Sequence, residues 1–286
     1  MKVLFLAYGP RSVGSSRLRA WNIADAWKDA DCLDRLVDDL SYDAFVFQKQ
    51  KPHVKFGSLV IWDLCDPVWW WIAEDEFRAA VKCCDAITVS SDGLADDLRS
   101  MEIYPIVIPD RLPPSSKQKI HSEVRIPKLV WFGYATNRLA LNGVWLSLQR
   151  LVINGINFKF RIIDDMPDVL IPLCNQKLQD SLEYIRWNET TFEDDLLDCD
   201  IVLLPPYPDP WGAMKSQNKL ATASWAGLPV VSGENYYELL ELISDWKTRQ
   251  RKGLAHRQMA EEFFDISQSV EEWKVLVSNL KQRKAA

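Results

Sequence analysis

The chain has 286 residues, of which 48% are hydrophobic and 26% charged; this is the balance of a globular protein long enough for one large or two medium domains. A formal net charge of −6 argues against a generic nucleic-acid binder, whose footprint is a basic excess. No apolar run has the ~18 residues of a membrane span, and Cys32, Cys65, Cys83, Cys84, Cys174 and Cys199 show no CxxC spacing, so reduced thiols in a cytoplasmic protein without a secretory leader are the expectation.

Lys2–Tyr8 (KVLFLAY) predicts a buried first strand, and Leu18, Trp21, Ile23, Ala24 and Trp27 follow at helical spacing. In the intervening loop Gly9 and Gly14 have the separation of a P-loop, but Ser15 stands where the phosphate-binding lysine belongs, which excludes an NTPase. The loop also lacks GxGxxG. It presents Arg11, Ser15, Ser16, Arg17 and Arg19, either as ligand contacts or as solvated residues of a helix start. Asp43–Lys49 and Ser58–Asp63 are the next strands, ending in Gln48 and Lys49 and in Asp63, with Asp66 just beyond. Polar groups at the carboxyl ends of buried strands mark the usual ligand side of an open α/β sheet. Asp66 also fits the N-cap of a helix over VWWWIAEDEFRAAVKCC, with Pro67 at its first position. Ala86–Ser90 is a strand, Ser91 and Asp92 open a helix over Gly93–Met101, and Ile103–Pro109 is the last strand of this half. The polar, proline-containing stretch after it closes a first domain at residues 1–112 and forms a linker at 113–127.

A second strand–loop–helix series occupies 128–265. Strands are expected at Leu129–Tyr134, Phe158–Asp165 and Leu182–Trp187, with a helix near Ala140–Val152 and a short acidic one at 191–197. The stretch Asp200–Gly233 then reads as a strand (Ile201–Leu204), a proline-rich loop, a helix (Ser216–Ala226) and a strand (Leu228–Val231), a parallel βαβ unit. Its loop delivers Lys215, Ser216, Asn218 and Lys219 to the helix start, where free N–H groups and the helix dipole favour an anion. A phosphorylated ligand is expected there, against the plainer reading of lysines at a helix start as scaffold. A C-terminal helix at 266–286, amphipathic over Val270–Leu280, is free to pack back on the first domain. The whole predicts an α/β protein of two Rossmann-like domains facing an interdomain cleft.

In the order AITVSSDGLADDL, IVIPD, LVWFGY and DCDIVLLPP…KSQNKLATASWAGLPVVSG, the chain resembles glycosyltransferases of the GT-B fold, in particular the family 4-like group (glycosyl transferases group 1). The resemblance covers roughly residues 1–245. It implies a C-terminal domain that holds a nucleotide-diphosphate sugar, UDP- or GDP-linked, as co-substrate, and an N-terminal domain that holds the acceptor. Gly133, Tyr134 and Asn137 would lie near the diphosphate, Trp187 and Asn188 by the base, and Lys215, Ser216, Asn218 and Lys219 on phosphates and sugar. Asp63 would act on the acceptor hydroxyl or on positive charge at the sugar, with Lys215 as second catalytic group. Arg11, Ser15, Arg17, Gln48, Lys49 and Ser91 would serve the acceptor, a glycan, a lipid-linked or another hydroxyl compound. No metal or other cofactor, no nucleic acid and a retaining outcome are implied. Arg249, Arg251 and Lys252 beside an apolar helix are read as peripheral membrane contact or, more simply, as a solvated face.

Two departures separate the chain from this pattern. The paired glutamates of many family 4 enzymes align with Met214 and Thr222. None of His53, His121 and His256 matches the N-terminal catalytic histidine of some relatives: His53 follows a turn, His121 falls in the linker and His256 in a basic helix. A catalytically silent binding protein of the same fold is therefore the alternative function, with a nucleotide-sugar isomerase third.

Overall fold

The computed structural model describes residues 1–35, 41–52, 57–168, 171, 175–207 and 210–285; His53 and Cys174 lie outside them. Two compact units are formed, one from Met1–Pro113, Ala213–Asn218 and Phe264–Ala286, the other from Pro114–Gly212 and Lys219–Phe263.

The first unit is built on a six-stranded sheet in the order β2-β1-β3-β4-β5-β6, every pairing parallel. Its strands are β1 (Val3–Leu6), β2 (Ala30–Leu33), β3 (Ala44–Gln48), β4 (Leu59–Leu64), β5 (Ala86–Val89) and β6 (Ile106–Val107). β1, β3 and β4 are buried along their whole length, as continuous apolar runs are when helices cover both faces of a parallel sheet. β2 was not expected: its sequence ADCL is only half-buried and lacks an apolar run because it is an edge strand. β6 is shorter than expected, since Pro105 and Pro109 bracket it and cannot donate to a ladder.

After β1 the chain runs through α1 (Gly14–Ser16), a π-helical turn (Arg17–Trp21) and α2 (Asn22–Ala26). The tryptophan run does not continue one helix. It forms a 3-10 turn (Val68–Trp70) ahead of α3 (Glu74–Lys82), because the Trp69 and Trp70 indoles both donate to the Asp97 carboxylate, at 2.6 and 2.9 Å. Asp97 lies on α4 (Asp92–Ser100), whose N-cap Ser91 accepts from the Leu94 N–H.

The second unit carries a five-stranded sheet ordered β11-β10-β7-β8-β9, again all parallel. The strands are β7 (Lys128–Phe132), β8 (Lys159–Asp164), β9 (Leu182–Arg186), β10 (Ile201–Leu203) and β11 (Val230–Val231). A 3-10 helix (Ala135–Gly143) precedes α5 (Trp145–Ile153), followed by α6 (Gln176–Gln179), α7 (Phe192–Leu197), α8 (Pro210–Met214), which runs into the first unit's segment Ala213–Asn218, α9 (Asn218–Trp225), which leaves that segment, α10 (Tyr236–Ser244) and α11 (Trp246–Phe263).

Residues 114–127 are tied into this unit by single polar contacts, which leave no periodic signature in sequence. Lys119 N–H donates to Ala226 O at 2.8 Å and its ammonium to Leu197 O at 3.0 Å. His121 is buried, its N–H on Gln250 Oε1 and its Nε2 3.2 Å from Gly227 O. The last helix, α12 (Ile266–Ala285), completes the core of the first unit. Ile266, Val270, Trp273, Leu276, Val277 and Leu280 pack with Val3, Phe5, Ile23 and Trp27, and the Trp273 and Phe5 rings meet edge to face at 5.3 Å.

Candidate functional site

In each sheet the chain leaves the first strand on one side and later returns on the other, and ligands of open α/β sheets bind at such a switch, outside the carboxyl ends. In the first unit the switch falls between β1 and β3; in the second it falls between β7 and β10.

Around the first switch two layers of polar groups are stacked. The inner layer is sealed. Arg19 is 3% exposed and Asp63 0%; Arg19 Nε donates to Asp63 Oδ2 at 3.0 Å and its Nη2 to Oδ1, which also accepts from Thr88 Oγ1 at 2.7 Å. Arg19 Nη1 reaches Asp110 Oδ1 at 3.1 Å and Ile108 O. Burial opposes the charge on Arg19, but Asp63 and Asp110 more than offset it, so its pKa is raised. These contacts correct two expectations. Arg19 is not a solvated helix-start residue, and Asp63, with no exposed surface and both oxygens engaged, is not poised against an acceptor hydroxyl. Asp110 Oδ2 accepts from Ser216 Oγ at 2.5 Å, and Asn218 Nδ2 donates to Ser216 Oγ at 2.9 Å, so the inner layer anchors the segment Ala213–Asn218.

The outer layer meets solvent. Asp66 does not cap a helix: the 3-10 turn after it has no side-chain cap. Its carboxylate is shared by two ammonium groups, Lys49 and Lys215, the latter at 3.3 Å. The Lys49 backbone is left-handed, φ 59°. Burial works against its charge, yet neighbouring Cys65 and Asp66 outweigh this and raise its pKa. Burial also pushes the Cys65 thiol up to about 12, against the pull of Lys49. Gln48 is buried, its Oε1 accepting from Tyr8 N–H at 2.8 Å and Ser16 Oγ at 3.1 Å, while Ser16 Oγ accepts from Gly9 N–H. Gln48 therefore braces the loop after β1. Arg11 forms a fork with Asp25 and lies over the Trp21 ring, and Arg17 donates to Arg11 O. Ser15 is half-buried on α1. Ser91 caps α4 and donates to Met214 O at 2.8 Å.

Around the second switch Gly133 follows β7, its N–H on Ile163 O at 3.1 Å. Lys219, in the first turn of α9, lies over the Trp131 ring at 4.7 Å. A Cβ at Gly133 would stand 2.7 Å from Lys219 Nζ, so glycine is what admits the ammonium to this edge. Tyr134 is 44% exposed and starts the 3-10 helix that carries Asn137. Arg138 and Asp164, unmarked in the sequence reading, form a fork with oxygens at 2.5 and 2.9 Å, the carboxylate buried and the guanidinium partly so. Asp164, a carboxylate ending a buried strand, carried the same signal that singled out Asp63. Trp187 N–H donates to Asp164 O at 2.7 Å and its ring lies 6.3 Å from Phe192. Asn188 Oδ1 accepts from Thr190 N–H and Oγ1, a local turn leading to α7. The string Lys215–Lys219 is thus divided: Lys215, Ser216 and Asn218 bond within the first unit, and Lys219 packs within the second.

Among the described residues no group of three or more His, Cys, Asp or Glu is placed to hold a metal ion, and no helix is long and apolar enough to cross a membrane. The described cysteines, Cys32, Cys65, Cys83, Cys84 and Cys199, are free thiols.

No protein-family model matches the chain, and no curated protein matches it in sequence. Solved structures do match in fold. WaaG, a glycosyltransferase involved in lipopolysaccharide biosynthesis, superposes with a TM-score of 0.63 at 14% identity over 97% of this chain and 99% of its own. A glycosyltransferase from Rickettsia africae gives 0.66 at 8% identity, covering 98% of each chain. TarM gives 0.58 at 11% identity over 82% of this chain, which spans only 54% of TarM's length. The chain has the two-domain α/β GT-B fold.

Proposed function

We propose that the chain is a glycosyltransferase that moves a sugar from a nucleotide-diphosphate sugar to a hydroxyl acceptor. The observation that carries this is the lysine at the second unit's switch: Lys219 at the β7 edge, admitted by Gly133, in the first turn of α9. When the sugar leaves, negative charge grows on the nucleoside diphosphate, and an ammonium at the positive end of a helix dipole stabilises it where it develops. Tyr134 and Asn137 flank that edge, and Trp187 and Asn188 follow β9 on the same side of the sheet. UDP is the favoured nucleotide, since a TarM mutant of the same fold was solved with UDP and α-GlcNAc-glycerol; GDP is second. In this reading no metal takes part, the anomeric configuration is retained, the protein works in the cytoplasm, and Asp63 holds Arg19 rather than touching substrate.

A thermal-shift screen of UDP, GDP, ADP, CDP, dTDP and their common sugars tests it, because a ligand that binds the native state raises Tm by mass action. UDP or GDP shifts the wild type, and the shift is lost in Lys219→Ala and in Gly133→Ala. The new methyl of the latter displaces the tip of the Lys219 side chain and also crowds the buried Trp131 ring, 3.2 Å away, so Lys219→Ala carries the test and the unliganded Tm of Gly133→Ala is measured beside it. No shift with any nucleotide overturns the reading. A shift without transfer to any acceptor establishes the silent binding protein instead. One observation favours that second reading: Met214, at one of the two glutamate positions, packs against the first unit's core.

A further inference from the structure

We propose that the ion pair of Asp164 and Arg138 is the positioning element of the nucleotide site. It holds the loop of Tyr134 and Asn137 at a set spacing from the loop of Trp187 and Asn188, so that diphosphate and base are held together. This rests on the nucleotide-sugar reading above.

β7, β8 and β9 lie side by side, and the loops that leave their carboxyl ends are tied through two consecutive aspartates at the end of β8. Asp164 reaches the first loop with its carboxylate, which accepts from Arg138 Nε and Nη2 at 2.5 and 2.9 Å. It reaches the third with its carbonyl oxygen, which accepts from the Trp187 N–H at 2.7 Å. Asp165 repeats the arrangement one residue on. Its Oδ1 accepts from the Ala135 N–H at 2.7 Å, and its carbonyl oxygen accepts from Arg186 Nη1 at 2.8 Å. The loop after β8 closes over the pair: Met166 O accepts from Arg138 Nη2 at 2.6 Å, and Met166 N–H donates to Asp164 Oδ1 at 2.9 Å.

These contacts fix direction as well as proximity. Arg138 follows Asn137, whose N–H donates to Tyr134 O at 2.8 Å, and its Cζ lies 5.6 Å from the centre of the Tyr184 ring on β9. A planar guanidinium bound to a carboxylate through two nitrogens admits one orientation. Asp164, with no exposed surface, has no water to turn to, so the 3-10 helix swings only if the fork breaks. A buried ion pair adds little net stability over an apolar replacement; the geometry it fixes is the better reason for its place here. A nucleoside diphosphate carries its base and its diphosphate at a spacing set by the ribose. It gains over separate fragments only when both pockets stand at that spacing.

Isothermal titration of UDP, with ligand-observed NMR for uridine and inorganic pyrophosphate, tests this on the wild type and on Arg138→Lys, which keeps the charge and loses the fork. The wild type is expected to bind all three, UDP the most tightly. Arg138→Lys weakens UDP about tenfold and leaves each fragment within about twofold of its wild-type affinity, because only the joined ligand reads the spacing. A merely structural pair predicts instead that the fragments weaken in step with UDP. Asp164→Asn repeats the comparison from the other partner should Arg138→Lys fold poorly, as its unliganded Tm shows. If GDP binds and UDP does not, GDP and guanosine take the places of UDP and uridine. The inference is overturned if the nucleotide binds Arg138→Lys as tightly as the wild type, if the fragments weaken as much as the nucleotide, or if neither fragment binds the wild type. Binding of neither UDP nor GDP to the wild type overturns the nucleotide-sugar reading itself, and the inference with it. With transfer established, Arg138→Lys raises the donor KM about tenfold at an unchanged acceptor KM; an equal rise in both overturns the positioning role.

Discussion

Asp63 and His121 carry the sharpest residue-scale consequences. Replacing Asp63 by asparagine leaves Arg19 buried with one carboxylate where it had two, and breaking a buried pair costs about 3–5 kcal/mol. Urea titration of Asp63→Asn is expected to show a loss of that order, well beyond the few tenths expected of a surface aspartate. His121 is 3% exposed, and its Nδ1 has no hydrogen-bond partner. Burial lowers its pKa to about 4, against the weaker upward pull of its bond to Gly227 O. Because the folded-state pKa lies below the unfolded one, its contribution is complete above pH ~6.5 and is lost as the pH falls to about 4, on the order of 2 kcal/mol. Tm measured across that window is expected to fall more steeply for the wild type than for His121→Asn, which carries no titrating ring.

At the scale of elements, α4 and the segment Ala213–Asn218 are fitted to each other through Gly93. A Cβ there would stand 2.0 Å from Ala213 O and 2.9 Å from Ala213 C, a clash with backbone that no rotamer relieves. Gly93→Ala is therefore expected to displace the segment, breaking the Ser91–Met214 and Ser216–Asp110 hydrogen bonds, at a cost of about 1–3 kcal/mol. Limited proteolysis within residues 213–218 reads the displacement directly and is expected to be faster in the variant. The same pairing explains why Asp66 read as a helix cap: Asp-Pro ahead of an apolar run is a sound local signal, but the partners that claim the carboxylate, Lys49 and Lys215, are 17 and 149 residues away in sequence. The tryptophan run misled for a similar reason. Its helical spacing is real, and Asp97 bends it.

Across the whole molecule, the first unit is closed by residues from the far end of the chain. Trp273 is fully buried on α12, edge to face with Phe5 of β1. Trp273→Ala is expected to cost about 3–5 kcal/mol, seen in calorimetry as an earlier transition, whereas Val275→Ala, on the exposed side of the same helix, changes little. Apart from the edge strand β2 and the turn that interrupts the tryptophan run, the strands, their parallel pairing and most of the helices between them were legible in sequence because apolar runs and helical periodicity are local properties. So was the polarity at the strand ends, which pointed to Gln48, Lys49, Asp63 and Asp66. Which of these groups face solvent was not legible, since burial depends on what packs above a residue. The tertiary structure alone decided that Arg19 and Asp63 neutralise each other in the interior. It alone divided Lys215 from Lys219 between the two units, and it alone drew α12 to β1 and left Lys49, Asp66 and Lys215 together at an open edge. Periodicity is written along the chain; charge pairing is settled by residues that meet only when it folds.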